Sequence, residues 1–488
     1  MSATIVQASS TAAAEGIGRR RNVFVPVTVA LLMLAGGTLR YLAAQNAFWF
    51  DEILSWKVAR EAPHAADILV NTPLDNSHPL NTLWMYGLGD RSWWPAYRLL
   101  SVVSGTMMII AMGRAAGRRD VAASLFATLL AAFSIFQIHY ASEARGYAPA
   151  MLFAVFAFAL TGRFLERPKR RYSLAFALCA MLGLLSHTSF LCVFVALIAW
   201  SGAELLTRLR FVEALPKLFR LHGIPLTFTL MYGGLVLRRL TPAGGAPYSP
   251  FRAARDALSW SFNWPDHRWM TWSLCAAVTL TAMIEITRML RERDTQWIFY
   301  VTAILVAPML TLLLWRQPFV YPRYFAVATP FVLILVARFL SRAWRGGGPT
   351  RIGAAIFLAL FLWGGAKQYA QILDPGRGQY LPALEFILSR TTGPVTVGSH
   401  QDLRNTIMFD FYGRYLPAER DVKYIPQDQW DESPPQWLII DCLHNSPPRS
   451  SSRTTSAGIK YHLVRTFRYA GLSGFDWWIF ERDRDENR

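Results

Sequence analysis

Long apolar runs recur along this chain almost to position 372, and stretches such as 147–160 and 324–337 carry almost no polar side chain on any helical face. A helix on the surface of a soluble protein keeps a polar stripe. These runs predict membrane spans instead, each close to the ~20 residues that cross a bilayer as helix. The candidate helices are roughly 23–43, 97–115, 121–138, 147–165, 172–186, 189–206, 221–238, 268–288, 296–315, 324–341 and 351–372, about eleven spans by the length criterion. From Asp374 the pattern changes. Short alternating runs at Val395 to Val397, Val422 to Ile425, Trp437 to Ile440, Tyr461 to Phe467 and Trp477 to Phe480, with helical spacing over 403–415, predict a small α/β domain. Ser450 to Ser456 reads as a loop.

The polar positions between the runs set the topology. Every second connection is basic: Arg19 to Arg21, Arg114/Arg118/Arg119, Arg163/Arg167/Lys169/Arg170/Arg171, Arg208/Arg210/Lys217/Arg220, Arg288/Arg291/Arg293 and Arg338/Arg342/Arg345/Arg351. Positive loops stay cytoplasmic, so the N-terminus is expected inside and the tail, after an odd number of spans, outside. The division is a cytoplasmic tail 1–22, a transmembrane domain 23–373 with a first outer loop 44–96, and an extracytoplasmic α/β domain 374–488. Within that outer loop, helical patterning near 51–60 and 79–89 predicts two helices, and Trp56, Trp84, Trp93 and Trp94 suit an interfacial setting. A second outer loop, 239–267, contains the Pro/Gly run Thr241 to Pro247 and reads as a flap over a cleft.

Composition agrees and adds little: 488 residues, 53% hydrophobic, net charge +18. In a soluble protein that charge would suggest nucleic acid; here it sits in the topological loops, which points to anionic headgroups and excludes nucleic acid as the expected partner. Arg19 to Arg21 before an apolar stretch resembles a signal peptide, but the stretch is long enough to span and reads as an uncleaved anchor. Cys179, Cys192 and Cys275 lie in apolar runs and Cys442 in the tail, which implies no disulfide framework. Gly346-Gly347-Gly348 is a connector and, lacking a following Gly-Lys-Ser/Thr, no phosphate loop.

Candidate chemistry collects at the outer ends of the spans. Asp51 and Glu52 follow the aromatic run Phe48-Trp49-Phe50. A carboxylate at the edge of hydrocarbon needs a partner, a water-filled cavity or a reaction. On the same side lie His78, His139, Glu143, Arg145 and Tyr147, His187, and Arg316, Tyr321, Arg323 and Tyr324. Guanidinium forks bind phosphate oxygens bidentately, so Arg145 and Arg323 are candidate phosphate ligands. Asp51 is a candidate base, with capping of the following helix as the simpler alternative. His139 and Glu143, four residues apart, share a face if the segment is helical and could contribute to a metal site, but a metal wants more ligands at recognisable spacing, so no metal site and no cofactor is assigned and a divalent ion stands as the less favoured alternative.

Together these residues resemble the GT-C superfamily of polytopic glycosyltransferases, in particular the family 39 group of protein O-mannosyltransferases and the lipid A aminoarabinose transferases. The resemblance rests on the Asp51-Glu52 pair in the first outer loop, Arg145-Gly146-Tyr147 before a span and Arg323-Tyr324 before a late one, and covers most of residues 20–345. It implies a polytopic α-helical bundle and an inverting transfer from a polyprenyl-phosphate sugar donor to a hydroxyl of a glycolipid, polysaccharide or protein. A lipid phosphate leaves as a stable anion, so one base suffices. Asp51 and Glu52 are then the expected catalytic pair, Arg145 and Arg323 the phosphate ligands, and His78, His139, Glu143, His187, Tyr147 and Tyr324 further substrate contacts. A bacterial inner membrane with the active side in the periplasm is the expected location. The alternative class is a lipid or saccharide transporter, which tends to place polar sites near the midplane of repeated halves; no repeat is visible, and the acids and histidines gather on one side.

Overall fold

The apolar runs fold as helices at the predicted places. The computed structural model describes residues 25–70, 78–118, 120–239, 248–264, 268–315, 320–417, 422–443, 450–456 and 458–483. The expected cytoplasmic tail with Arg19 to Arg21, the run Thr241 to Pro247, and Arg316 lie outside the described residues. The bundle contains α1 (Val25–Ala43), α5 (Pro95–Ala116), α6 (Val121–Phe133), α7 (Ile135–Ala141), α8 (Tyr147–Glu166), α9 (Arg170–Ser186), α10 (Phe190–Arg208), α11 (Phe211–Leu235), α13 (Arg268–Arg291), α14 (Gln296–Val301), α15 (Ala307–Trp315), α16 (Thr329–Gly346) and α17 (Gly348–Leu373). Between α1 and α5 lie α2 (Phe50–Glu61), α3 (Ala65–Val70) and α4 (Pro79–Leu88), and α12 (Pro250–Ser261) precedes α13.

Among the described residues, seven helices are long and apolar enough to cross a membrane, or eight if the bent pair α6–α7 counts as one span. The sequence pattern alone gives about eleven. The difference lies in α9, which has 17 residues; in α11, whose apolar run is interrupted by Arg220, His222 and Pro225; and in α16, which carries Arg338, Arg342 and Arg345. A turn at Gly347 (φ 70°) and Gly348 (φ 48°) reverses the chain between α16 and α17, in the left-handed region that glycine enters without steric cost.

The expected helix 121–138 breaks at Ser134, where α6 and α7 meet at 57°. A break inside a bundle frees backbone groups that water cannot reach. All four final carbonyls of α6 find donors. Leu130 receives the Ser134 N–H, Ala131 and Ala132 receive the Arg40 guanidinium at 2.7 and 3.2 Å, and Phe133 receives Asn263 Nδ2 at 2.8 Å. Asn263 Oδ1 takes the Ile135 N–H at 2.7 Å, and Nδ2 also reaches the Phe361 carbonyl at 3.0 Å. The residue sits at φ 58°, a conformation Asn tolerates. Asn263→Leu would strand two backbone groups at the break, the Phe133 carbonyl and the Ile135 N–H, at about 1–3 kcal/mol each. The expected result is a strongly lowered unfolding temperature in detergent, measured by tryptophan fluorescence; unchanged stability would show that the break is held elsewhere.

The tail domain has α18 (Tyr380–Arg390), β1 (Val395–Ser399), α19 (Asp402–Tyr412), β2 (Val422–Tyr424), β3 (Trp437–Cys442), β4 (Ser452–Thr454), β5 (Lys460–Phe467) and β6 (Asp476–Arg482). Its sheet order is β2-β1-β3-β6-β5-β4, with β1 parallel to β2 and β3 and the remaining pairs antiparallel. The segment expected as a Ser/Thr loop therefore contains strand β4. Both its faces are exposed, so it has no apolar alternation to read, and only its ladder with β5 defines it.

The tail shares one apolar core with the first loop. Phe48, Trp49, Ile53 and Trp56 pack with Tyr380, Leu384, Phe411 and Trp477. Phe411 stacks on Phe48 at 5.5 Å and meets the Trp56 edge at 5.1 Å, and Tyr412 Oη donates to the Phe48 carbonyl. The expected interfacial Trp56 is thus buried under protein. The two ends of the bundle differ chemically. The basic connections lie together at one end, where Arg118 pairs with Glu166 and Arg345 with Asp120; Asp51, Glu52, His139 and Glu143 lie at the tail-domain end.

Candidate active site

Asp51 lies in the first turn of α2 and is 8% exposed. Its Oδ2 is buried and receives no hydrogen bond, yet Arg323 Nη2 lies 3.6 Å away and Arg145 Nη2 3.9 Å away. Two guanidinium groups therefore face one carboxylate. Arg323 rides on a 3₁₀ turn (Pro322–Phe325) ahead of α16, which begins later than the sequence pattern predicts. Its guanidinium lies over Tyr321 at 4.3 Å, Trp49 at 5.8 Å and Tyr324 at 5.9 Å, which fixes its plane without using all its donors. Arg145 is held more tightly. Its Nη1 donates to the Asp51 carbonyl at 2.9 Å and to Ser55 Oγ at 2.8 Å, so it also supports the backbone that presents Asp51.

Glu52 faces away from this carboxylate. Successive helix residues are turned by about 100°, so neighbours in sequence do not share a face. Its Oε1 accepts from Arg98 Nε at 2.7 Å and the Ala144 N–H at 2.6 Å; its Oε2 accepts from Arg98 Nη2 at 2.5 Å and the Trp49 N–H at 3.3 Å. Arg98 spends its remaining donors on the carbonyls of Ala44, Asn46 and Ala47. Both side chains are fully buried. Arg98 sits in the first turn of α5, where the helix dipole disfavours a cation, and Glu52 offsets it. The pair pins the link from α1 into α2.

The loop between α7 and α8 is clamped from three sides: Glu52 holds the Ala144 N–H, Asn81 Nδ2 the Ala144 carbonyl at 2.6 Å, and Ser101 Oγ the Arg145 carbonyl at 2.9 Å. Gly146 lets α8 start directly against the end of α9. A Cβ there would lie 1.8 Å from the Ser186 carbonyl oxygen and 3.0 Å from His78 Nδ1. Arg98, Asn81 and Ser101 were not among the residues singled out in the sequence. The one signal for them is Arg98 itself, a charge inside an otherwise apolar span, for which Glu52 is the obvious counter-ion.

His78, His187 and Tyr147 pack against one another beside Arg145. Ring centroids lie 4.9 Å apart for His78 and His187, 5.1 Å for His78 and Tyr147, and 4.9 Å for Tyr147 and His187, with the Arg145 guanidinium 6.0 Å from the Tyr147 ring. His78, just ahead of α4, has its imidazole held well below its ordinary pKa by burial and then by Arg145, so it is neutral. His139 and Glu143 do not join this group. His139 Nε2 contacts Glu143 Oε1 at 3.1 Å and Ser473 Oγ at 3.0 Å. Glu143 meets Arg377 Nε at 3.3 Å, and Arg377 Nη2 donates to the His139 carbonyl at 2.9 Å. This fully buried cluster ties α7 to the tail domain. Among the described residues no three His, Cys, Asp or Glu side chains gather where they could hold a metal ion.

Comparison with solved structures finds the crystal structure of ArnT from Cupriavidus metallidurans in the apo state, with a TM-score of 0.50 and 12% identity, covering 92% of this chain and 97% of that one. The two chains share a fold. The ArnT likeness runs through both the helical bundle and the small sheet domain, since so little of either chain is left uncovered. No family model matches the sequence, and no curated protein matches it.

Proposed function

We propose that this protein is an inverting membrane glycosyltransferase that moves a sugar from a polyprenyl-phosphate donor to a hydroxyl of a glycolipid, polysaccharide or protein. The observation that carries this reading is the convergence of Arg145 and Arg323 on Asp51, whose Oδ2 has no hydrogen-bond donor of its own. The ArnT-like fold and the GT-C resemblance of the same three positions support it. Asp51 takes the proton of the acceptor hydroxyl; that oxygen attacks the anomeric carbon; the bond from that carbon to the phosphate oxygen breaks, and the lipid phosphate leaves as an anion. Arg323, with Arg145, offsets the charge growing on that phosphate. Glu52 serves as a positioning residue through Arg98 and Ala144. The site faces outward, with the N-terminus cytoplasmic and the tail domain in the periplasm of a bacterial inner membrane, because the basic connections gather at the opposite end.

Labelled polyprenyl-phosphate sugars, offered to the purified protein in vesicles with a panel of hydroxyl acceptors, test the reaction; no transfer to any acceptor would refute it. Within that assay Arg323→Ala is the cleaner probe of the phosphate, because Arg145 also supports the backbone. Losing one charged hydrogen-bond donor at about 1.5–3 kcal/mol should weaken donor binding roughly 10- to 150-fold and leave acceptor KM unchanged. Equal effects on both substrates would move Arg323 out of the phosphate role.

A further inference from the structure

The tail domain carries a crevice of its own beside the loop that presents Asp51. In its sheet β1 lies between β2 and β3 and runs parallel to both; the chain leaves β1 toward β2 through α19, and leaves β3 toward β4 on the other side. Parallel sheets bind ligands where connections part in this way, beyond the carboxyl ends of the strands. β3 continues through Ile440, Asp441 and Cys442 past its last pairing with β1, Ser399 with Ile439, so Asp441 borders the gap.

Arg404, in the first turn of α19, reaches this gap. Helical side chains lean toward the N-terminus of their helix, and Arg404 Nη1 donates to Asp441 Oδ2 at 3.1 Å. Asn405 Nδ2 lies 2.7 Å from Ser399 Oγ and 3.2 Å from each Asp441 oxygen, which fixes the carboxylate. The guanidinium carbon lies 4.9 Å from the centre of the Phe475 ring and 5.7 Å from that of Phe50, the residue before Asp51. The other N–H groups of Arg404 have no acceptor among the described residues. The gap is open to solvent, since the Arg404 side chain is 27% exposed and His400, which follows Ser399, is exposed. The Asp441 carboxylate, itself buried, offsets the charge of Arg404. What remains is a fork of directional donors rather than a bare cation.

Resting on the sugar-transfer reading, we propose that Arg404 is the residue through which the tail domain holds the acceptor, that its free N–H groups donate to the oxygens of adjacent hydroxyls, and that the acceptor is therefore an uncharged glycan rather than a protein Ser/Thr side chain. Asp441 and Asn405 are positioning residues that hold the fork in place. Contact between Arg404 and Phe50 sets this subsite one residue from the base, so a glycan resting on the fork can turn a further hydroxyl toward Asp51.

The test uses the full-length protein in vesicles with labelled polyprenyl-phosphate sugars and three kinds of acceptor: neutral oligosaccharides and glycolipids, their uronic-acid counterparts, and Ser/Thr peptides. Neutral glycans should be the best acceptors and peptides should receive no sugar. Arg404→Lys keeps a cation beside Asp441 but loses the planar fork. It should raise the KM of the best glycan acceptor about 10-fold, the worth of two ordinary hydrogen bonds, with donor KM, kcat at saturating acceptor and unfolding temperature as in the wild type. The double variant Arg404→Gln/Asp441→Asn removes both charges together, leaves none buried alone, and should show the same acceptor defect. Unchanged acceptor KM in both variants, equal changes in donor and acceptor KM, transfer to peptides as efficient as to glycans, or a strict need for an acidic group on the acceptor would overturn the assignment while leaving Asp51-dependent transfer intact. Wild-type protein that transfers no sugar to any acceptor, or transfer unaffected by Asp51→Asn, would remove the underlying reaction, and the role of Arg404 with it.

Discussion

Asp51→Asn should insert and fold as the wild type does and lose sugar transfer by a factor of about 10²–10⁴, the usual contribution of a positioned general base. The substitution keeps the shape of the side chain and removes its charge and basicity. Its neighbours make the folding half of the prediction firm: Arg145 holds the Asp51 carbonyl rather than relying on the carboxylate, and Arg323 is seated on aromatic rings. Turnover and unfolding temperature measured on the same purified sample check both halves. Near-normal turnover would remove Asp51 from the base role, and a collapsed unfolding temperature would make it a structural charge.

Glu52→Ala should do the reverse. It leaves the Arg98 guanidinium buried with no carboxylate beside it, a defect worth about 3–5 kcal/mol, and it frees the Ala144 and Trp49 N–H groups as well. Loss of stability should be the primary effect and loss of transfer a consequence. The double variant Glu52→Ala/Arg98→Met removes the orphaned charge and should regain much of the stability. Chemical denaturation of the single and double variants in detergent reads the coupling between the two side chains. If Glu52→Ala is as stable as the wild type and still inactive, Glu52 belongs to the chemistry and the positioning role falls.

The spans were legible because a bilayer demands long, uninterrupted apolar stretches, and the pattern of basic connections came with them. Positions within one stretch were harder. Nothing between 121 and 138 announces the break at Ser134, because the groups that satisfy it, Arg40 and Asn263, come from distant parts of the chain. The acidic pair could be found but not divided: adjacency put Asp51 and Glu52 at the same depth, while the helical turn that sends one toward Arg323 and the other toward Arg98 depends on where α2 packs. His139 and Glu143 do meet, but Glu143 lies beyond the end of α7, so the helical face implied by their spacing is not what joins them, and spacing cannot say that they look at Arg377 and Ser473. His78 and His187 are far apart in sequence, and their contact waits on the close approach that Gly146 allows.

The aromatic core in which Phe48 and Trp56 are sealed by Phe411 and Trp477 joins the earliest part of the membrane domain to the last part of the chain. A ribosome that has delivered every span has still not delivered the roof over the first loop. A half-made chain already in the bilayer therefore holds Asp51 on a segment that lacks its aromatic cover until the tail domain has been made.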